Sequence, residues 1–439
     1  MSDYMFMLDS HLTGEQSKAV ALVREAADEA HLNAFLVGGA MRDMMGGFAI
    51  RDLDFAVEGP AIKFAKSIAE KIGAEILAID DHRKAVEIRF PGHVSASISM
   101  ARQEKYTKAG GRASIQPATI HEDLRGRDFT VNAIALSLGK ASRGLLLDPV
   151  NGLGDLSRRE LRAASNYALY DDPSRLLRLI RFRARLGFTV EERTLTQYRN
   201  VRETKLESKI PGLVLASELR QIALEPNAGD VLKALEEENL LYIVSPALAG
   251  PKLNLPGFQK LAKARQSLPF GLEAQINWNA LLWYLLFEKL SAKERAQIIK
   301  VLGLAKEEVD SAPKLEGRAS KLERELAAAR LPKPSAVYNV VSKGPAEAVL
   351  FLLMRSGQRV VLDRVKNYLQ KYLPAAQEIT DAEVAKAGVE PGTPKFAKMK
   401  AQLVASRLDA RPKKVIVEEP PAPPPPPHVA GRRSATFAR

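Results

Sequence analysis

Asp52 and Asp54, in the run Arg51-Asp52-Leu53-Asp54, are the residues whose type and spacing most directly suggest chemistry. Acidic and apolar residues alternate at the start of 52–57, as in a half-buried strand, and residues two apart on a strand face the same side. The two carboxylates are therefore expected to project together. Side by side they repel unless a cation lies between them. Hard oxygen ligands suit Mg²⁺, which takes one or two carboxylates and keeps its other positions for water or substrate phosphates. Such a pair is what phosphoryl transfer needs, because a metal ion there neutralises a polyphosphate and activates an attacking hydroxyl. Standing alone, an Asp-x-Asp reads far more readily as a solvated acidic edge strand than as a metal site.

Two further groups of residues bear on that choice. Gly38 and Gly39 follow an apolar stretch and precede Arg42 and Asp43. A glycine pair between strand and helix lets backbone N–H groups approach phosphate, and Arg42 supplies a cation. No Gly-Lys-Ser/Thr follows, and the spacing is not that of a dinucleotide-binding loop. Farther along, Asp172, Arg175 and Arg178 are spaced by three, so on a helix they are neighbours. A carboxylate beside a guanidinium offers acceptors and donors that match the edge of a base. The plainer alternative is an intrahelical ion pair.

These residues need elements to position them. Thr13 with Gln16 forms a capping box opening a helix to about residue 30. A strand over 34–37, a helix over 40–45, a strand over 52–57, a helix over 61–72 and strands over 74–79, 84–90 and 94–100 follow, with a Pro91-Gly92 turn. From about Leu156 to Leu408 the periodicity is helical, with a second capping box at Ser291 and Glu294 and breaks expected near Pro211, between Pro246 and Pro256, and at Pro313. Trp278 and Trp283, inside an apolar helical run, read as core. The fold class is α+β: a head over 1–155 with a small mixed sheet, then an all-α half comprising a neck over 156–250 and a body and tail over 251–410. The segment 411–439 contains PPAPPPPP and is expected to be a disordered or polyproline tail.

Composition narrows the function class. The 439 residues carry a formal charge of +13, which favours a polyanionic partner. Residues 101–200 hold 18 Lys and Arg against 11 Asp and Glu, placing about +7 beside the candidate site. There is no cysteine, which removes thiolate metal sites and disulfides and suits a reducing cytoplasm. The six histidines lack zinc-hydrolase spacing, and no apolar run is long enough for a membrane span.

In order along the chain, Gly38-Gly39 with Arg42-Asp43, Arg51 to Asp54, Glu122 to Ala135, Asp148 to Leu156, and Asp171 to Arg178 continuing into Arg181 to Phe188 resemble segments of the class II tRNA nucleotidyltransferases and bacterial poly(A) polymerases. These are DNA polymerase β-like enzymes. The resemblance implies template-independent, Mg²⁺-dependent addition of C or A nucleotides to the 3′ end of tRNA, with CTP or ATP as donor and pyrophosphate as product. It implies that Asp52 and Asp54 hold the metal ion. Gly38, Gly39 and Arg42 would lie near the triphosphate, and Arg127, Asp128 and Asn132 would shape the nucleotide pocket. Asp172 and Arg175 would read the incoming base, and Arg178 and Arg181 would reach the nucleotide and its phosphates.

The likeness has departures. Ser97 stands where the family often has a third acidic residue, with Glu87 a conceivable substitute. Gly126 replaces the first of a pair of arginines, and the usual Phe-Gly-Thr turn is replaced near His82-Arg83-Lys84. The basic-aromatic stretch of the poly(A) polymerases is missing. Three alternatives therefore stand beside tRNA maturation: a poly(A) polymerase, a non-catalytic RNA-binding paralogue, and a small-molecule nucleotidyltransferase, the last disfavoured by the long basic helical half. Oligomeric state is not legible.

Overall fold

The computed structural model describes residues 3–410 apart from 270, 329, 330, 332 and 387, so the Pro-rich segment lies outside the described residues. The fold is α+β. Its N-terminal part contains strands β1 (Asn33–Val37), β2 (Leu53–Glu58), β3 (Glu75–Asp80), β4 (Ala85–Phe90), β5 (Val94–Met100), β6 (Arg102–Lys105), β7 (Ser114–Pro117), β8 (Ala135–Ser137) and β9 (Leu146–Leu147). Seven of these form one mixed sheet in the order β3-β4-β5-β2-β1-β8-β9, and β6 pairs with β7 as a separate hairpin. Within the sheet only β2 and β5 run parallel.

Helices α1 (Asp3–His11), α2 (Gly14–Glu29), α3 (Gly39–Met45) and α4 (Ala61–Ile72) accompany the sheet. The capping box at Thr13 and Gln16 is formed at the start of α2. Leu53, Phe55 and Val57 of β2 alternate into the core that these helices share, and all three are fully buried. Burying each stabilises the fold by roughly 1.5–3 kcal/mol. The alternation leaves Asp54 on the opposite face. A one-residue slip would drive that carboxylate into the core and a leucine or phenylalanine out of it, so the register is strongly specified. On β5, Val94, Ala96, Ile98 and Met100 point into the same core, which leaves Ser95, Ser97 and Ser99 on the face of Asp54.

Helix α5 (Ile120–Arg125) covers part of that open face, where Ile120 and Leu124 pack on Phe35, Val37 and Ala56. Beyond α6 (Gly152–Arg158) and α7 (Ala168–Asp171), the helix α8 (Arg175–Leu186) lies against the sheet-bearing part. Phe182 of α8 meets Phe129 edge to face with ring centroids 5.8 Å apart. Main-chain hydrogen bonds from Thr130 to Arg162 and from Ala164 to Asp128 tie the two segments together. Then follow α9 (Glu192–Glu203), α10 (Gly212–Ala223), α11 (Ala228–Glu237), α12 (Leu255–Arg265), α13 (Trp278–Phe287), α14 (Ala292–Leu302) and α15 (Lys306–Ala327), with further helices to Asp409. Trp278 and Trp283 are buried.

The structure corrects three expectations. Asp52 is the residue before β2, not its first member. Asp172 and Arg175 do not share a helix: Asp172 ends α7 in extended backbone, and Arg175 opens α8 after Pro173. Pro313 does not break a helix but lies inside α15. There the buried stripe Ala312, Leu315, Ala319, Leu322 and Leu326 packs the helix against α13 and the helix at Ala346–Arg355, and that burial outweighs the lost backbone hydrogen bond. Replacing Pro313 with Ala is therefore expected to raise stability, by up to about 3 kcal/mol. Thermal or urea denaturation of the two proteins measures it.

Candidate active site

Antiparallel pairing sets Val37, the last residue of β1, opposite Asp54. The chain leaves β1 through Gly38, with φ +67°, and enters α3 at Gly39. A Cβ on Gly38 would stand 3.0 Å from a terminal nitrogen of Arg127 and 3.4 Å from Asp54 Oδ2. Only glycine combines that backbone conformation with so close an approach to two charged groups. The glycine pair thus brings main chain against the carboxylate.

Asp54 accepts a 2.7 Å hydrogen bond from Ser97 Oγ, its register partner on β5. Asp52, just ahead of the strand, has its side chain exposed within the cleft and makes no hydrogen bond or ion pair among the described residues. Although water reaches it, the surrounding walls strip away much of the bulk solvent. That burial first, and the charge of Asp54 second, push the Asp52 carboxyl up to about 6. Two neighbouring carboxylates, one of them without a donor, make a donor set of hard oxygens that fits a divalent cation. No cluster of three or more acidic or histidine side chains able to hold a metal ion occurs among the described residues.

Around this pair opens a cleft of about 430 Å³. All twelve residues singled out from the sequence line it: Gly38, Gly39, Arg42, Asp52, Asp54, Arg127, Asp128, Asn132, Asp172, Arg175, Arg178 and Arg181. Nine arginines and seven carboxylates lie on its walls, an excess of positive charge that suits an anionic guest.

Most of these side chains are held by one another. Arg42, buried, donates to its neighbour Asp43 at 2.9 Å and to Asn132 Oδ1 at 2.7 Å. Asn132 in turn donates to Asp128 Oδ1 at 3.0 Å, which also accepts from the Phe129 amide at 2.7 Å. Burial alone would raise the Asp128 pKa, but Arg178 and Arg175 more than offset it and hold the carboxyl below the ordinary range. Arg127 is clamped by Asp123 Oδ2 at 2.8 and 3.0 Å.

From the helical side, Asp172 Oδ1 accepts from the amide and hydroxyl of Ser174 at 3.0 and 2.5 Å, leaving Oδ2 facing Arg175 Nε at 3.9 Å. Burial favours the neutral acid, yet Arg178 and Arg175 lower the Asp172 pKa overall. The terminal nitrogens of Arg175 donate to the carbonyls of Gly126, Arg127 and Ala168 at 3.0, 3.3 and 3.4 Å, which ties α8 to the loop after α5. Its Nε is buried and unpartnered. Arg178 donates to Glu218 at 2.6 Å and approaches Asp128 at 3.5 Å, and Arg181 donates to Glu225 at 3.0 Å. Both arginines therefore line the cleft as members of ion pairs.

Several cleft residues were not singled out from the sequence. Arg185 donates to Asp43 Oδ2 at 2.7 Å, while burial and the charges of Arg42 and Arg51 push its pKa down to about 10. A signal for it was available, since Arg178, Arg181 and Arg185 repeat at i, i+3 and i+7 along one helix face. Glu218 and Glu225, seven apart, supply the matching acids. Arg83, in the replaced turn at His82-Arg83-Lys84, and Arg102 and Glu104, on β6 just after the strand of Ser97, also line the cleft. Glu87 is exposed on β4 and lies outside the cleft lining.

With this geometry in hand, residues 34–162 match the family model of the poly A polymerase head domain. The chain is 35% identical over 194 residues to the A-adding tRNA nucleotidyltransferase of Halalkalibacterium halodurans, covering 44% of this chain and 45% of that protein. It is 35% identical over 201 residues to the CC-adding tRNA nucleotidyltransferase of Deinococcus radiodurans, covering 46% of this chain and 52% of that one. The matches span about half, or less, of the length of such curated relatives. The fold resembles that of a solved CCA-adding enzyme in its second apo form, with a TM-score of 0.53 and 22% identity over 94% of this chain and 96% of the other. The family resemblance carried by the ordered motifs is borne out by these matches. No helix among the described residues is long and apolar enough to cross a membrane.

Asp52 binds its proton more tightly in the folded protein than in the unfolded chain, so its contribution to stability falls as pH rises from about 4 through 6 and stays low above that. Asp52→Asn should raise the melting temperature of the metal-free protein at pH 8 by about 1–3 °C, with the gain gone near pH 4. Thermal denaturation across that range is the check, and an Asn variant no more stable at pH 8 would contradict the charge crowding described.

Proposed function

We propose that this chain, a member of the class II tRNA nucleotidyltransferase family, adds C or A nucleotides to the 3′ end of tRNA from CTP or ATP, releasing pyrophosphate. The observation that carries this reading is one cleft shared by the carboxylate pair of the sheet and the Asp172–Arg181 segment of the helical half. A nucleotide lying across it would present its phosphates to Asp52 and Asp54 and its base to Asp172 and Arg175. We assign residues 1–155 to the catalytic head, 156–250 to the neck that reads the base, and 251–410 to the helical body and tail that grip RNA through shape and phosphates.

In this reading Asp52 and Asp54 hold the divalent cation, for which Mg²⁺ is the natural choice with two carboxylates and a polyphosphate. When bound, the ion neutralises phosphate charge and favours the attacking hydroxyl in its ionised form. The protein does the rest by positioning and fixed charge. Gly38 and Gly39 let main chain close on the triphosphate, and the ion-paired Arg42 lends its charge to the same end. Arg127, Asp128 and Asn132 form a mutually braced wall beside the ribose. Asp172 Oδ2 is the acceptor left open to a base, and Arg175, anchored on main-chain carbonyls, would add the one Nη2 proton that those bonds leave over. Arg178 and Arg181, held by Glu218 and Glu225, stiffen the wall and direct positive charge toward the phosphates. The new bond joins the RNA 3′ oxygen to the α-phosphorus. The bond to the pyrophosphate oxygen breaks, and the hydroxyl proton passes to solvent.

The test uses purified protein, Mg²⁺ and tRNAs ending before CCA, after C or after CC, each offered labelled CTP, ATP or both. Addition of one to three defined nucleotides is expected, and the substrate that responds tells whether the product is CC, A or the whole triplet. Long A tails would place the chain with the poly(A) polymerases, and RNA binding without incorporation would make it a binding paralogue. Asp52→Ala and Asp54→Ala should each abolish incorporation while tRNA binding, followed by gel shift, persists. Arg175→Ala should blur the choice between CTP and ATP more than it weakens RNA binding; unchanged selectivity would remove Arg175 from base reading.

A further inference from the structure

Ser97 is the register partner of Asp54 across the parallel β2–β5 ladder, half-buried on the cleft wall, with its hydroxyl 2.7 Å from Asp54 Oδ1. A longer acidic side chain at this position would point where the serine hydroxyl points, beside Asp54. Glu87 pairs with Ser97 from the far side on β4, but it is exposed and outside the cleft lining, so it does not supply that group. The bare site therefore presents two carboxylates to a cation, one oxygen already occupied by a hydroxyl donor. The charges of Arg51 and Arg185 act on Asp52, and that of Asp54 on Arg127. These guanidinium groups repel a bare cation by the same Coulomb law that attracts a polyphosphate. Mg²⁺-like ions held by one or two carboxylates complete their shell from substrate phosphates.

We propose that Ser97 is a positioning residue for the carboxylate pair, which orients Asp54 through its hydroxyl and, by keeping the site at two acids, makes the protein take up its divalent cation together with the nucleoside triphosphate and not before it. This rests on the reading of Asp52 and Asp54 as the metal-holding pair. The hydroxyl leaves Asp54 Oδ2 directed toward the glycine turn, where the site of a Gly38 Cβ lies 3.4 Å away, and that is the oxygen open to an ion bridging carboxylate and phosphate. Outer partners that orient a ligating carboxylate commonly change metal affinity by about 10–100-fold.

The experiment titrates the full chain with Mn²⁺ and reads free Mn²⁺ by electron paramagnetic resonance, with and without a non-hydrolysable triphosphate analogue and corrected for Mn²⁺ held by free analogue. The natural protein should bind Mn²⁺ at least about tenfold more tightly with the analogue than without it. Ser97→Asp, which adds a third carboxylate, should bind Mn²⁺ at least about tenfold more tightly than the natural protein when no nucleotide is present. Ser97→Ala should lose about tenfold in analogue-supported affinity, and Ser97→Thr, which keeps the hydroxyl, should restore it. Circular dichroism establishes that each variant is folded, and Ser97→Glu replaces the Asp variant if that one is not. Equal Mn²⁺ affinity with and without analogue, or an acidic variant no tighter than the natural protein, would overturn the proposal. Incorporation is scored separately: a natural protein that shows these shifts but adds no nucleotide would sink the functional reading and leave the role of Ser97 standing. Normal incorporation with analogue-independent Mn²⁺ binding would do the reverse.

Discussion

Two negative charges held close together at the start of a sheet's central strand are unfavourable in the absence of a cation, and much of the surrounding architecture can be understood as holding Asp52 and Asp54 there. The force that does so is hydrophobic and acts on other residues. Leu53, Phe55 and Val57 are buried beneath the helices, and the strand cannot move its acids out of the cleft without exposing them. β2 is also locked between β1 and β5, so main-chain pairing on both sides resists any shift in register. The site's chemistry is thus a consequence of packing on the opposite face of the same strand.

A second constraint follows from the number of charges the cleft contains. Arginines brought this close repel one another, and the structure answers with buried carboxylates at alternate places. Asp43 lies between Arg42 and Arg185, Glu225 receives Arg51, Arg181 and Arg185, and Glu218 receives Arg178 and Arg181. Removing one partner from such a buried set leaves an uncompensated charge, so the network is costly to disturb even where its net stabilisation is modest. Its members come from both halves of the chain: Arg42, Asp43 and Arg51 from the sheet-bearing part, and the arginines of α8 with Glu218 and Glu225 from the helical part. The two walls of the cleft are therefore braced against each other by the groups that give it its positive potential. The hydrogen bonds of Arg175 to the carbonyls of Gly126 and Arg127 serve the same end, tying the start of α8 to the loop after α5.

The departures from the family pattern gain physical meaning in this setting. Gly126 contributes its carbonyl, not a side chain, and that carbonyl anchors Arg175. Ser97 sits beside Asp54 and donates to it, which stabilises one carboxylate orientation without adding charge to an already crowded pair.

By itself the amino-acid sequence determined most local elements and the identity of the motif residues that line the cleft. Helix caps at Thr13 and Ser291, the strand after Asp52, and the glycine turn at residues 38 and 39 depend on neighbours within a few residues, so they are legible in the chain. The motif residues were legible for the same reason, each defined by type and short spacing. What only the tertiary structure decided depends on residues far apart in the chain. Pro313 is carried inside a helix because α13 and a later helix bury the face around it. Asp172 lies outside the helix because Pro173 interrupts the backbone and Ser174 captures its carboxylate. Which arginines are paired, and with which glutamates, was equally invisible, since Glu225 meets Arg51 across more than a hundred residues. A side chain's type is written in the sequence, but the charge, solvent and donors around it are set by whatever the rest of the chain brings near.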